Sequence, residues 1–575
     1  MPNSSATNKG LVNVVKPKIR VGLLVDSDEV PLWAYQIVER LVSSDYAEIA
    51  LIIENGSPGD NTKTLFNRIL KNADRLLYIG WSMFDQMLYR KRKRGAPMAD
   101  DKRSLLELVA DVPVIQVHPV MYVHSDFLPD EDVRKINDHN LDLMFRIGFR
   151  IMRGEILNAA RYGIWSYHHG DNRQYRGGPA GFWETLTGAP EAGTVLQIIT
   201  EDLDGGSVLY RSWSLTDILS HTRHKDNVYM NSNTHLPRKI AELHRLGETE
   251  FFRRINKQNQ HPQFYSRRLY VAPKNLEMLF LAVTHYGRYA WAKLIKLFCF
   301  RQWILLVAHR SNGELSESLW RFKKIIPPVD RIWADPFVIY RDKTYFVFIE
   351  EMLTSRNIGH ISVLTIDEQG QHSTPIKILE KPYHLSYPFL FEYEDELYMI
   401  PESAANRTID LYRCTGFPHQ WEHVKTLMND VFAVDATLLE YDGLWWMFVT
   451  IRENADTGSL DELFLFYADN PLSDQWTPHV ANPVCSDVKQ SRPAGQIFTY
   501  NGNFYRPSQN GSHRYGYGIK VNQIKTLNTS VYHEECVSDI KPEWDRYINA
   551  VHTLNYNNGM TVSDASLLRW RASRS

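Results

Sequence analysis

The chain has 575 residues, enough for two or three domains that each bury a core of their own. Apolar residues make up 43% and charged residues 23%, as in ordinary globular proteins, and a formal net charge of −2 gives no reason to expect nucleic acid as a partner. No run of about 18 apolar residues occurs, so the sequence predicts no stable membrane span.

The four cysteines lie far apart and have no CxxC spacing, which indicates neither a disulfide framework nor a zinc site. We interpret them as reduced thiols of a cytoplasmic protein, and no bound metal is expected. Residues 1–17 contain no apolar core long enough for a signal peptide, and they are predicted to be a disordered tail.

The first half alternates short apolar runs, typical of buried strands, with segments of helical spacing such as Leu32–Leu41. This alternation predicts an α/β domain over residues 18–245 with a mostly parallel, doubly wound sheet. The first strand–helix turn lacks the GxGxxG pattern, so no dinucleotide is expected there. The predicted strands are 20–25, 48–53, 113–117, 141–147, 163–168 and 194–199.

Three polar residues are expected to meet at one edge of this sheet, because ligands of such sheets bind beyond the carboxyl ends of the strands. His168 ends its strand, Ser166 points the same way by alternation, and Asp204 follows the next strand. His168 would accept a proton, Asp204 would orient it, and Ser166 would donate a hydrogen bond. The alternative is that His168 and His169 simply end a strand.

The segment Gly163–Leu209 resembles the formyltransferase fold family, which includes methionyl-tRNA, glycinamide ribonucleotide and sugar N-formyltransferases. The resemblance rests on Gly163, His168, Tyr175-Arg176-Gly177 and Leu203-Asp204 with Gly206. It implies a Rossmann-like fold, His168 as proton shuttle for an amine, and an oxyanion donor at Ser166, where the family has Asn. It also implies 10-formyltetrahydrofolate as the acyl donor.

The loop after His168 departs from the family, because Gly170-Asp171-Asn172-Arg173 replaces an apolar stretch. We expect Asp171 and Arg173 to recognise an amine and an anionic group, and Tyr175 and Arg176 to bind substrate as well. The alternative is a solvated loop. The polar loop leaves open whether folate or another acyl donor is used.

The second half, residues 299–575, contains a pattern that returns about every fifty residues. Each unit reads as a strand, an Asp/Asn/Gly turn and further strands, and a period of this length predicts an all-β, five-bladed propeller. Trp303–Val307 is the candidate for the strand that closes the ring. The units begin at Asp335, Tyr387, Asp435, Arg492 and, in a shortened copy, His552.

The first residue of each unit should face the central channel, and Glu350 and Glu402 fall in the same register. Carboxylates that converge with an arginine and a tyrosine suit a sugar, which needs hydroxyl contacts and an aromatic face. We therefore predict substrate-binding residues on the propeller axis. The alternative is a wet channel lined by polar side chains. The predicted axial residues are Asp335, Tyr387, Glu402, Asp435 and Arg492.

Two families resemble the second half. The Asp-Pro start at Asp335 and the Val-Asp-Ala start at Asp435 resemble five-bladed glycoside hydrolases of family 43, which implies a general base at Asp335 and an orienting role for Asp435. Arg492 stands where that family opens its fourth blade with an acidic Glu, and hydrolysis needs two carboxylates.

Residues 300–560 also resemble the N-terminal domain of plant glucosamine inositolphosphorylceramide transferases. This resemblance implies recognition of a glycan or a sugar nucleotide. It is carried by Ala334–Phe337, His384–Phe389, Tyr398–Ser403, Asp410–Arg413 and Phe417-Pro418.

The sequence as a whole predicts a formyltransferase-like acyl transferase that acts on an amine of an amino sugar or sugar-containing precursor, with the propeller recognising the glycan. Its partners would be a small acyl donor and an amino-sugar or glycan acceptor; no oligomeric state is predicted. One alternative places glycosyl transfer, hydrolysis or carbohydrate binding in the propeller, beside a degenerate first domain. Another is a non-catalytic scaffold.

Residues 246–298 are predicted to be a helical connector, with 276–297 docking on the propeller or, alternatively, touching a membrane surface.

Overall fold

The computed structural model describes residues 16–57, 72–122, 125–201, 205–261, 264, 268–309, 317–454 and 460–571. The predicted tail over residues 1–17 lies outside the described residues except for its last two positions, and the candidate Asp204 also lies outside them.

The first half contains both long sheet strands and short paired segments. They are β1 (Ile19–Val25), β2 (Glu29–Pro31), β3 (Ala47–Asn55), β4 (Lys102–Ser104), β5 (Val114–Val117), β6 (Val120–Met121), β7 (Ser125–Phe127), β8 (Leu143–Arg146), β9 (Ile151–Arg153), β10 (Ile164–His168), β11 (Arg176–Gly177), β12 (Glu191–Ile198), β13 (Ser207–Leu215) and β14 (Leu269–Tyr270).

The described α-helices all precede the propeller. They are α1 (Leu32–Val42), α2 (Leu76–Lys93), α3 (Leu106–Val109), α4 (Asp130–Asn137), α5 (Phe182–Thr187), α6 (His221–Ser232), α7 (His235–Leu246), α8 (Glu248–Gln258) and α9 (Asn275–Phe298).

Seven of the described strands form one sheet in the order β13-β12-β10-β8-β1-β3-β5. The five strands from β10 to β5 are parallel to one another. At the edge, β12 pairs antiparallel with β10, and β13 pairs antiparallel with β12. Helices α1, α7 and α8 share a buried core with one face, and α4 shares a core with the other. Strand β13 was not predicted, because Arg211 and several serines interrupt its apolar residues.

The second half consists of five antiparallel sheets. In the order of the ring they contain β16 (Lys323–Ile325) and β15 (Cys299–His309) with β34 (Ile548–Ala550), β35 (Leu554–Asn557) and β36 (Met560–Trp570); β17 (Arg331–Arg341), β18 (Thr344–Leu353), β19 (Gly359–Ile366) and β20 (Ile376–Leu379); β21 (Ser386–Tyr393), β22 (Glu396–Ser403), β23 (Thr408–Gly416) and β24 (Gln420–Asn429); β25 (Ala433–Tyr441), β26 (Leu444–Ile451), β27 (Glu462–Ala468), β28 (Thr477–Pro478) and β29 (Cys485–Ser486); and β30 (Phe498–Tyr500), β31 (Asn503–Asn510), β32 (Gly518–Leu527) and β33 (Tyr532–Ile540).

The inner hairpin of every blade turns in the same way. Both central residues of each turn have positive φ, which is the type I′ geometry that matches the twist of paired strands and favours Asn, Asp and Gly. The repeat that the sequence predicts is therefore confirmed, with one turn per blade. The turns are Asp342-Lys343, Glu394-Asp395, Asp442-Gly443, Asn501-Gly502 and Asn558-Gly559.

The ring is closed by strands from both ends of the propeller. Strand β15 pairs with β36 along its whole length, from Cys299 opposite Trp570 to His309 opposite Met560. The predicted closing strand at Trp303–Val307 is thus confirmed. This pairing ties the first and last strands of the propeller into one sheet, so the ring depends on contacts between residues far apart in the chain.

The α/β half and the propeller contact each other through polar groups. Arg238 on α7 forms an ion pair with Glu462 on β27 (Nη1–Oε1 2.7 Å), and Lys489 forms one with Glu191 on β12 (2.7 Å). The main-chain amide of Val488 donates to the carbonyl of Trp213 on the sheet edge (3.0 Å). The edge strand β13 therefore lies against the blade formed by β25–β29, called the third blade because its unit is the third in chain order, after those of Asp335 and Tyr387.

Helix α9 does not dock on the propeller in the way that the sequence predicted. It buries Met278, Leu281 and His285 against helices of the α/β half, and it contacts the propeller at its C-terminal end, where the chain continues into β15 and Arg571 donates to the Lys296 carbonyl (3.2 Å). Most of its remaining side chains are exposed. None of the described helices is long and apolar enough to cross a membrane.

Ile304 tests the closing blade, because its side chain is fully buried (0% exposed) on β15. We expect Ile304→Ala to lower the free energy of unfolding by about 2–5 kcal/mol, through lost burial and the cavity that remains. Ile376→Ala on β20, where the side chain is 53% exposed, should cost under about 1 kcal/mol. Urea unfolding measures both variants against the wild type. If the two variants shift the midpoint by the same amount, the closing role of β15 is contradicted.

Candidate functional site

The inner strands of three blades each contain a β-bulge near their start. Asp335, Tyr387 and Asp435 occupy these bulges with φ of 48°, 43° and 56°, a left-handed conformation that non-glycine residues rarely adopt. Strain of this kind persists only where the surroundings enforce it, and it is commonest at functional sites.

The acidic residues of the second strands lie in the predicted register. Glu350 pairs with Ala334, one residue before the first bulge, and Glu402 pairs with Ser386 before the second. Two further carboxylates, from Asp335 and Asp435, are buried beside them. The structure therefore brings together the acidic side chains that the sequence assigned to the axis.

One side of the axis holds a buried Asp–His–Asp group. His552 Nδ1 lies 2.7 Å from Asp564 Oδ2, and His552 Nε2 lies 3.7 Å from Asp335 Oδ1. Asp564 also accepts hydrogen bonds from the backbone amides of Asp335 (2.9 Å) and of His552 and Thr553 (3.0 Å each). Asp564 therefore joins the closing blade to the first bulge.

The charges of this group depend on one another. Burial alone would lower the pKa of His552, but the carboxylates of Asp564 and Asp335 raise it to about 9, so the imidazolium form is favoured at neutral pH. Burial raises the pKa of Asp335 to about 6, with His552 opposing the shift. Burial and the nearby Asp335 raise the pKa of Glu350 to about 8. Glu350 is therefore protonated at neutral pH.

The other side of the axis is centred on Asp435. Its carboxylate accepts hydrogen bonds from Arg492 Nε and from Gln509 Nε2 (3.0 Å). Glu402 lies 3.4 Å from Arg492 Nη2 and shares a hydrogen bond with Asp435. Burial and the charge of Asp435 raise the pKa of Glu402 well above its usual range. The protonated form of Glu402 is therefore favoured, and it shares its hydrogen bond with the Asp435 carboxyl group.

The sequence predicted that Tyr387 presents an aromatic face to the channel, whereas the structure places its side chain elsewhere. It is fully buried, its hydroxyl lies 2.9 Å from Thr437 Oγ1, and the amide of Gly495 donates to it (2.8 Å). The bulge turns the ring into the packing between blades, against Phe337. Tyr387 thus joins its own blade to three others.

The aromatic surface of the site comes from residues that the sequence did not single out. Trp303 stacks on His552 with ring centroids 4.1 Å apart, and Tyr515 lies edge-on to the same imidazole at 5.4 Å. The Arg492 guanidinium lies over the Tyr515 ring at 5.2 Å. Of the missed residues, Gln509 could have been found, because it stands at the same distance after its turn as Glu350 and Glu402.

A pocket of about 300 Å³ opens at this end of the axis, between the two halves of the chain. Arg492, Gln509 and Tyr515 form its propeller side, and Leu215, Thr216 and Asp217 form part of its α/β side. Because Arg492 and Gln509 also contact Asp435, the pocket leads directly to the axial carboxylates. A pocket of this size suits one small ring with polar substituents.

Within the described residues, Asp335, His552 and Asp564 form the group whose ligand atoms lie close enough together for one metal ion, within 4.8 Å of one another. Asp564 accepts three backbone hydrogen bonds, and His552 Nδ1 faces Asp564. These contacts form a self-contained ion-pair group.

The first-half candidates are arranged differently from the prediction. Ser166 is buried, Arg146 Nε donates to its hydroxyl (2.9 Å), and the hydroxyl points to the carbonyl of Tyr167 (3.4 Å). His168 Nε2 lies 3.0 Å from the carbonyl of Tyr175. The Ser166 hydroxyl is thus engaged in hydrogen bonds within the protein. An oxyanion donor, in contrast, must face the reacting group.

The polar loop after His168 is stabilised internally. Asp171 accepts hydrogen bonds from Arg173 (3.0 Å from its amide) and from Arg211 on β13 (2.8 Å), and both arginines lower its pKa against the effect of burial. Tyr175 packs beside Tyr270, and Arg176 pairs with Leu269 in a short ladder. Asp171 and Arg173 therefore form an ion-pair network with Arg211, and their role in ligand recognition stays a prediction.

The propeller matches a known family. A family model described as "Glucosamine inositolphosphorylceramide transferase 1, N-terminal" matches residues 327–560. Proteins named glucosamine inositolphosphorylceramide transferase 1 are 35% identical over 228 residues in Oryza sativa subsp. japonica, and 31% identical over 204 residues in Arabidopsis thaliana. The matched regions make up 39% and 35% of this chain but only 30% and 26% of those relatives. The chain thus spans under a third of their length.

Solved structures give weaker likenesses. The catalytic domain of a Coprinopsis cinerea GH62 α-L-arabinofuranosidase matches 41% of this chain and 90% of its own, with a TM-score of 0.31 and 10% identity. Glycinamide ribonucleotide transformylase 1 from Symbiobacterium toebii matches 40% of this chain and 84% of its own, with a TM-score of 0.22 and 15% identity. Likenesses at these scores decide nothing about function.

The predicted enzyme class is wrong. The curated relatives are named glucosamine inositolphosphorylceramide transferases, not formyltransferases, and their similarity lies in the half of the chain that carries the axial site. The formyltransferase resemblance of the first half gains no support from them. The hydrogen bonds of the Ser166 hydroxyl with Arg146 and with the Tyr167 carbonyl give a structural reason for this outcome.

Glu350 makes the stability of the propeller depend on pH. Its folded pKa of about 8 lies above the usual value of 4.5, so the stability that its protonated form contributes is complete below about pH 4.5 and is lost as pH rises through 8. Between pH 5 and pH 8.5 the free energy of unfolding of the wild type should fall as Glu350 is forced to ionise. In Glu350→Gln this fall should be smaller by on the order of 3 kcal/mol.

The matched control is Glu396→Gln, which alters an exposed carboxylate on the neighbouring blade. It should leave the pH dependence of the wild type unchanged. Urea unfolding at the two pH values measures both variants, and identical curves for Glu350→Gln and the wild type would show that Glu350 is ionised in the folded protein.

Proposed function

We propose that the axial pocket of the propeller binds a sugar, and that the protein catalyses glycosyl transfer involving an amino sugar or a glycan. The observation that carries this proposal is the cluster of Asp335, Glu350, Glu402 and Asp435 beside Arg492, which leads into a pocket of about 300 Å³. The names of the relatives that match residues 327–560 support the same class of substrate.

The donors and acceptors of the site suit sugar hydroxyls. The Asp435 carboxylate can accept, and Arg492 can donate from the face that its ion pair leaves to the pocket, whereas both amide hydrogens of Gln509 already bond Asp435 and the carbonyl of Pro493. Tyr515 supplies an apolar ring at the wall. Because Arg492 and His552 are already paired with Asp435 and Asp335, a neutral sugar is favoured over an anion.

Glycosyl transfer needs one group that gives a proton and one that takes or stabilises charge. Glu402 is held in its protonated form by burial and by Asp435, so it can protonate a leaving oxygen. Asp335, with a pKa of about 6, is mostly ionised at neutral pH and can accept a proton. These roles place an acid and a base in one axial cluster.

Sugar recognition without chemistry is the second candidate, and the Arg492 ion pair favours it. Arg492 neutralises Asp435 directly, and His552 does the same for Asp335. A site whose charges are balanced internally can bind a sugar without altering it. Turnover by the wild-type protein separates the two candidates, since only the first predicts a product.

Calorimetry with glucosamine, N-acetylglucosamine and uridine diphosphate N-acetylglucosamine tests the site. We expect at least one of them to bind the wild type, and Asp435→Asn to weaken that binding at least tenfold, because a charge-assisted contact to Arg492 and the ligand is lost. Asp442→Asn, in the exposed turn of the same blade, is the matched control and should bind as the wild type does.

Glu402→Gln separates binding from catalysis. The amide keeps the shape and a hydrogen-bond donor but cannot give up a proton, so it should retain binding and reduce product formation at least a hundredfold. Wild-type binding without any product would leave recognition as the function. Absence of binding by all three sugars, or equal affinity of the wild type and Asp435→Asn, would contradict the axial sugar site.

A further inference from the structure

Helices α2 and α9 carry long apolar side chains that nothing in the described part of the chain covers. On α9 exposed apolar residues fall on one helical face, interrupted at Gly287, and form one stripe; they include Leu276, Phe280, Val283, Trp291, Leu294 and Phe298. On α2, Leu76, Met83, Phe84 and Met87 form a similar stripe. We call these two stripes together the α2–α9 apolar face.

The two stripes lie on the same outer side of the protein. The side chain of Asn275 at the start of α9 bonds the backbone of Ala73 (2.7 Å) and Leu77 (3.0 Å) at the start of α2, and Trp81 donates to the Tyr286 hydroxyl (2.9 Å). The opposite faces of both helices bury in one cluster around Phe182. The exposed stripes therefore both point away from the body of the α/β half.

Basic residues accompany this face. Helix α2 contains one acidic and four basic residues, and Arg94 follows it; helix α9 contains one acidic and three basic residues. The acidic residue of α2, Asp85, is buried, and Glu277 of α9 is paired with Arg268. Of the basic residues, Arg90 and Lys93 pair with Asp101 and Asp226 and Arg288 donates to a backbone carbonyl, whereas Lys91, Arg92, Lys293 and Lys296 are exposed. The face is therefore locally positive in a chain whose formal net charge is −2.

We propose that the α2–α9 apolar face binds the surface of a bilayer that contains anionic phospholipids, with both helices lying in the plane of the interface. An amphipathic helix with Trp, Phe and Leu on one face and lysines beside it inserts its apolar side chains to the depth of the headgroups. Lysine stems extend along the apolar region and place their ammonium groups among the phosphates. The positive charge is what selects a lipid surface over an uncharged protein groove.

The length of α9 fits this arrangement. Its 24 residues form a rod about 36 Å long, and exposed apolar residues run from Leu276 near its first turn to Phe298 at its end. Contiguous apolar surface on this scale is uncommon on a protein that stays in water. The proposal does not depend on a sugar site in the propeller.

Co-sedimentation of the full chain with vesicles tests the proposal. We expect binding to vesicles of phosphatidylcholine with 30 mol% phosphatidylserine, weaker binding to pure phosphatidylcholine, and a decrease with added salt. Phe280→Asp with Trp291→Asp, at positions 70% and 64% exposed, should reduce binding at least tenfold. The matched control is Trp320→Asp, because Trp320 is 62% exposed on the propeller side of the chain, and it should bind like the wild type.

A second measurement does not depend on the stability of the charged variants. Brominated phosphatidylcholine should quench part of the wild-type tryptophan fluorescence, and Trp291→Phe should lose that part. Absence of wild-type binding to the anionic vesicles would overturn the proposal. So would a concentration-dependent dimer that Phe280→Asp with Trp291→Asp dissociates, in the absence of vesicle binding, because the face would then bind a second copy of the chain.

Discussion

Five blades bring the ends of their inner strands to one axis, so the propeller must balance the carboxylates that collect there. Arg492 balances Asp435, His552 lies between Asp335 and Asp564, and Glu350 and Glu402 are favoured in their neutral forms. Removing one partner of such a buried pair leaves an uncompensated charge, which costs several kcal/mol. The charge balance therefore holds the ring together and at the same time determines which protons the axial pocket can give or take.

The α/β half contributes to this site mainly by lining one side of the pocket. Its edge strand β13 lies against the third blade, and the residues that follow this strand face Arg492 and Tyr515 across the pocket. The buried ion pair between Arg238 and Glu462 joins the two halves near the same edge. A ligand on the propeller axis would thus contact both halves, so the fusion of an α/β sheet to a propeller has a structural consequence at the pocket.

Local patterns predicted much of the fold and part of the site. The turns at Asp442-Gly443, Asn501-Gly502 and Asn558-Gly559 set the register of the blades, and this register identified Asp335, Glu350, Glu402 and Asp435. The same pattern failed for Tyr387, because a bulge with positive φ turned the ring between the blades. Trp303, Tyr515 and Asp564 were missed because they reach His552 only through tertiary packing. The motif around His168 suggested an acyl transferase, but spacing alone could not show that Arg146 and the Tyr167 carbonyl engage Ser166.

The position of the bound sugar is best measured by crystallography of the full chain, with crystals soaked in the sugar that binds most tightly. We expect the sugar to lie in the pocket between the two halves, with hydroxyl or ammonium groups within hydrogen-bond distance of Arg492, Gln509 or the axial carboxylates and a ring face near Tyr515. A sugar bound beside His168 and Arg176, with the axial pocket left to solvent, would contradict this expectation.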